Sequence, residues 1–133
     1  MLITMRKATI FISALALGAF GLFAQDDLTQ YQTLMKTAAG ANGAIRGAIN
    51  AGDTATVAAK AKDMSAAFDQ MATFWKAKGK DDAVKLSETA RDAAKAAAAA
   101  TTIDDQKAAM AKVGPTCMGC HATYRDGNKF KGL

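Results

Sequence analysis

The sequence predicts an all-α protein, built as an antiparallel (up-down-up-down) four-helix bundle. Three observations carry this expectation. Apolar residues recur at alternating three- and four-residue spacing through four successive segments, which gathers them on one face of each helix. No segment sustains the alternation of a half-buried strand, and Pro115 is the only proline. The connections between segments are short, which makes neighbouring helices antiparallel.

The N-terminus comes before the bundle. Arg6 and Lys7 precede an apolar run, Ala8 to Phe23, that no charge interrupts. Small Ala24 then stands ahead of Gln25. This is the pattern of a secretory signal peptide over residues 1–24, which leaves 25–133 as one small domain. The run falls short of the ~20 residues that a spanning helix needs, so a membrane anchor is the weaker expectation.

The first helix is expected from about Leu28 to Asn50. Its inward stripe is Leu28, Tyr31, Met35, Ala38, Asn42, Ile45 and Ile49. Asp26, Asp27 and Thr29 suit its N-terminus, where free amides attract negative charge and capping oxygens. Gly52-Asp53 stops it. Gly40, Gly43 and Gly47 each cost about 1 kcal/mol of helix propensity relative to alanine. Close approach of another helix or of a cofactor would explain them, and local flexibility is the alternative.

The second helix is expected from about Thr54 to Lys78, with Val57, Ala61, Met64, Phe68, Met71 and Trp75 inward. Gly79 ends it, with Lys76, Lys78 and Lys80 at the negative end of the helix dipole. The third is expected from about Asp81 to Ala100, with Ala83, Leu86, Ala90, Ala93 and Ala97 inward. Its alanines form helix well but offer thin packing.

The fourth helix is expected to start near Asp104. Met110, Val113, Cys117, Cys120, His121 and Tyr124 fall on its inward stripe. Pro115 lacks an amide donor and crowds the carbonyl four residues back, so a kink or break is expected near Gly114. The tail after Arg125 shows no periodicity and is expected to fray.

Cys117-Met118-Gly119-Cys120-His121 carries the chemistry. Cys-x-x-Cys-His is the attachment pattern of a c-type haem, with the thiols bonded to the porphyrin and the histidine ligating the iron. These are the only two cysteines and the only histidine of the chain. A thioredoxin-like redox site would need strands around the pair, structural zinc would need a fourth ligand, and a plain disulfide leaves the histidine unexplained. One covalent haem c is therefore expected, bound through Cys117 and Cys120, with His121 as proximal ligand. Covalent haem attachment in bacteria takes place outside the cytoplasm, so motif and leader agree on a periplasmic protein. A flat apolar cofactor would also supply surface that a core of this size lacks, and a chain without haem is expected to be poorly structured.

The charge fits no nucleic-acid ligand. The formal net charge of +5 falls to +3 without Arg6 and Lys7, and two haem propionates would bring it near +1. The lysines are spread among aspartates rather than gathered on one face.

Around the motif the chain resembles the class II cytochromes c, the cytochrome c′ family. The segment Cys117-Met118-Gly119-Cys120-His121-Ala122-Thr123-Tyr124-Arg125 matches the family pattern Cys-x-x-Cys-His-x-x-Tyr-Arg at every fixed position. The resemblance implies a haem on the last helix of a four-helix bundle, with Tyr124 and Arg125 in the haem environment. Low-spin members carry Arg-x-x-Leu-Met-Lys on the first helix, where the methionine is the second iron ligand. This chain has Tyr31-Gln32-Thr33-Leu34-Met35-Lys36. The match implies Met35 as distal ligand, while Tyr31 replaces the arginine that often accompanies a haem propionate.

The methionines can also be weighed by position alone. Met118 is trapped between the tethering cysteines. Met110 lies on the helix of His121, roughly 16 Å away along its axis. Met35, Met64 and Met71 remain, and a methionine on a core stripe is more often packing than ligand.

The function expected from motif and resemblance together is one-electron transfer between redox partner proteins, with no catalysis. The rival is a five-coordinate cytochrome c′ that binds gases such as NO or CO, with Met35 merely filling the distal side. A peroxidase would need a distal histidine that the chain lacks. Trp75 and Phe74 read as core, and Lys129 and Lys131 as an exposed tail. Family members often dimerise through their early helices, and the glycine and alanine faces here fit a homodimer or a monomer.

Overall fold

The computed structural model describes residues 19–132, with side chains from Asp27 onward. Most of the expected leader, residues 1–18, lies outside the described residues. Of the described residues, 83% are helical. Among the described residues five helices follow one another: α1 (Ala19–Ala51), α2 (Thr54–Ala77), α3 (Asp81–Ala99), α4 (Ile103–Met110) and α5 (Val113–Tyr124). Two short strands, β1 (Arg125–Asp126) and β2 (Lys129–Phe130), pair antiparallel at the end of the chain. Among the described residues, no helix is long and apolar enough to cross a membrane.

The turns are set by local chemistry. Gly52 and Gly79 adopt φ of 70° and 68°, a region that side chains disfavour, and so end α1 and α2. Asp53 caps α2 by accepting from the Thr56 amide at 3.0 Å and from its hydroxyl at 2.6 Å. Thr102 caps α4 by accepting from the Asp105 amide at 3.2 Å.

α2 is the central helix, packed against both α1 and α3. Its expected stripe, Val57 through Trp75, is buried at every position. α3 turns mainly alanines inward, and α4 and α5 both pack on it. Gln106 of α4 is fully buried and donates from its amide nitrogen to the carbonyls of Thr54 and Ala100, at 3.0 and 3.2 Å. This ties the start of α2 to the end of α3. α1 packs on α2 and touches α4 but makes no extensive contact with α5.

Two expectations are corrected and a third is narrowed. The break in the last helical segment falls at Ala111-Lys112 rather than near Gly114. Ala111 is four residues before Pro115, which is the carbonyl the proline ring crowds, and Pro115 itself sits in the first turn of α5, where its missing amide costs little. Second, the tail does not fray: Gly127, at φ 58°, turns the chain, and the Lys131 amide donates to the Tyr124 carbonyl at 3.0 Å. Third, among the described residues nothing lies within 4 Å of where a Cβ would stand at Gly40, Gly43 or Gly47, so no helix of this chain requires these glycines, and cofactor approach and local flexibility stay as their readings.

Candidate functional site

α5 is short, and its spacing decides what it presents. Positions 117, 120, 121 and 124 fall on one face. Cys117, Cys120 and His121 are half-buried there, while Tyr124 is buried. Met118 points outward and is 73% exposed. On α1, Tyr31 and Met35 are one turn apart and share a face. Between α1, α5 and the hairpin lies a cavity of about 530 Å³. Tyr31, Met35, Trp75, Cys120, His121, Tyr124 and Phe130 form its mainly apolar wall, with Lys36, Arg125 and Lys129 also bordering it. A void of about 20 Å³ on the inner side is bounded by Met35, Met71, Leu86, Cys117, Cys120 and His121.

The fold thus brings Met35 and His121 to the same cavity from different helices. Met35 is the one methionine on its wall among the described residues. Met71 reaches the small void only, and Met64, Met110 and Met118 border neither space. Arg125 lines the cavity, and its Nε donates to the Gly127 carbonyl at 2.7 Å.

Aromatic rings hold the deep side of the site. Trp75 is fully buried, and its Nε1 donates to the Tyr31 hydroxyl at 2.9 Å. Tyr31 meets Phe74 at 4.5 Å and Phe130 at 5.2 Å between centroids, and Trp75 meets Tyr124 at 4.6 Å. Tyr124 donates its hydroxyl to Asp82 at 2.5 Å, which fixes α5 to the start of α3. That bond pushes the Tyr124 phenol up to about 12 and holds the Asp82 carboxyl below its ordinary value.

Burial dominates the electrostatics of the motif. It raises both thiols, and the Asp82 charge raises Cys120 further, so both are protonated thiols at neutral pH. Burial, with the Arg125 charge beside it, lowers His121 below 6.5 and leaves a neutral imidazole with a free lone pair. Burial also raises Tyr31, as does the neighbouring Cys120. The Cys120 thiol, a neutral imidazole and the Met35 thioether on one apolar cavity, with the Cys117 thiol on the small void behind it, fit a covalently held haem. The cavity volume lies within the usual range of about 300–1,000 Å³ for cofactor sites. Among the described residues, no three His, Cys, Asp or Glu side chains cluster to hold a bare metal ion.

Phe130, Lys36 and the wall-forming role of Trp75 were not apparent from helical periodicity. The signal for Phe130 was the Gly127-Asn128 pair between two short runs, a two-residue hairpin turn. No known protein family, characterised protein or solved structure matches the chain.

Proposed function

We propose that this chain is an exported, periplasmic c-type cytochrome that carries single electrons between redox partner proteins. In this reading its helices form an up-down-up-down bundle of the class II cytochrome c kind. Cys117 and Cys120 hold one haem c by thioether bonds, His121 is the proximal ligand and Met35 the distal one. The observation that carries the reading is the shared cavity: α1 contributes Met35 to it and α5 contributes Cys120 and His121. When bound, the haem supplies reversible one-electron exchange at iron.

The chain's own residues set the conditions for that exchange. His121 is neutral and available to a metal. Met35 lies beside Lys36 on a long helix packed against α2, so its backbone is held on a rigid element. A methionine–histidine pair raises the potential of the iron, and the apolar wall does the same. With both His121 and Met35 bound to it, the iron would offer no open site to a substrate, which suits a carrier rather than an enzyme.

Absorption spectra of the reduced holoprotein with and without carbon monoxide test this. The wild type is expected to respond slowly and incompletely, and Met35→Leu rapidly and fully. A rapid, complete response of the wild type would replace the carrier reading by gas binding.

A further inference from the structure

The cavity is apolar in its depth, yet its border is of one sign. Lys36 of α1, with Arg125 and Lys129 of the hairpin, lines it, and no aspartate or glutamate does. No carboxylate forms an ion pair with any of these three among the described residues. Three like charges at one low-dielectric opening repel each other until a counter-anion arrives, and they concentrate anionic ligands there. The ligand that suits such a site has an apolar body and negative charge at its edge. The aromatic wall supplies no charge partner: Tyr31 and Tyr124 are neutral phenols, and the Tyr124 hydroxyl already donates to Asp82.

We propose that Lys36, Arg125 and Lys129 form a carboxylate-binding rim that holds the two propionates of the porphyrin. The inference rests on the haem reading above and assigns residues to a part of the cofactor that the motif does not address. Lys36 directly follows Met35, and Arg125 lies one turn beyond His121, so the cations flank the two residues that share the cavity. The Arg125 Nε is spent on Gly127, which orients the side chain and leaves its terminal nitrogens for a planar carboxylate. Lys129 precedes Phe130, whose ring packs on Tyr31 and so fixes the hairpin at the cavity. The hairpin then has two tasks, an apolar seal from Phe130 and a cationic grip from Lys129 and Arg125.

Resonance Raman spectra of the holoprotein read this through the propionate bending vibrations, which rise in frequency when the carboxylates accept hydrogen bonds. The Lys36→Met, Lys129→Met double variant is expected to shift these bands to lower frequency. Lys107→Met, an exposed α4 change that does not border the cavity, is expected to leave them in place. Unmoved bands in the double variant overturn the proposal. So do unmoved bands with a weaker salt dependence of electron exchange, which would give the cations to docking an acidic protein. Acid-acetone extraction separates this from failure of the haem reading. A purified chain that keeps no haem overturns that reading first, and a chain that keeps haem but shows unmoved bands overturns the rim alone.

Discussion

Asp82 accepts the Tyr124 hydroxyl, and that bond is the main reason its carboxyl sits below the ordinary 3.8. A carboxyl more acidic in the folded chain than in the unfolded one adds stability above its unfolded value. That contribution is lost as pH falls through the folded value. Melting temperatures from pH 6 downward should therefore fall more steeply for the wild type than for Tyr124→Phe, the two curves converging in acid. Parallel curves would mean that the bond adds nothing to folding. Trp75 offers a second residue-scale test, because it is fully buried and donates to Tyr31. Trp75→Phe should cost about 2 kcal/mol in urea unfolding, from a lost buried hydrogen bond and a partly filled space. At this scale the sequence was informative where chemistry is compact. Cys117, Cys120 and His121 announce themselves by spacing, and Met35 stood out through its neighbours Leu34 and Lys36. The Tyr31–Trp75 bond was invisible, since it joins residues 44 positions apart that each read as ordinary core.

Among the elements, α1 carries a clear prediction. Gly43 is exposed, and a Cβ there would meet nothing within 4 Å. Gly43→Ala should stabilise the helix by about 1 kcal/mol in thermal or urea unfolding, through helix propensity alone. A loss of stability instead would show that another surface covers this face in solution. The periodicity placed α2 and α3 within a residue or so of their observed ends, because both carry long stripes and end at glycine or polar turns. The last element was harder. Steric pressure from Pro115 acts on the carbonyl of Ala111, so the break lies before the proline rather than beside it. The hairpin escaped notice because two-residue strands show no period, and only the Gly127-Asn128 turn marks them.

At the scale of the molecule the core is alanine-rich, and its largest fully buried side chains are Trp75, Ile45, Met64, Met71, Gln106 and Val57. Few of these face the α1–α5 side, where the cavity stands in place of side chains. A ligand tethered there stabilises the folded state by binding it and not the unfolded one. Circular dichroism of the Cys117→Ser, Cys120→Ser variant should show a lower, broader melt than the holoprotein. A cooperative melt at the holoprotein's temperature would mean that the helices suffice by themselves. The bundle class was readable because four amphipathic stripes must face one another. The cavity was not, because the same stripes would serve a filled core.

The walls of that cavity come from opposite ends of the chain. The α1–α2 and α2–α3 contacts join consecutive helices and close only short loops. Tyr31 and Phe130 are ring partners across nearly the whole described length. Closing that longest loop costs the most chain entropy, and short-range contacts form first. The contacts between consecutive helices are therefore expected to form before α1 meets the hairpin. On that order the Cys117 and Cys120 thiols would stay reachable from the open side until the Tyr31–Phe130 contact closes it.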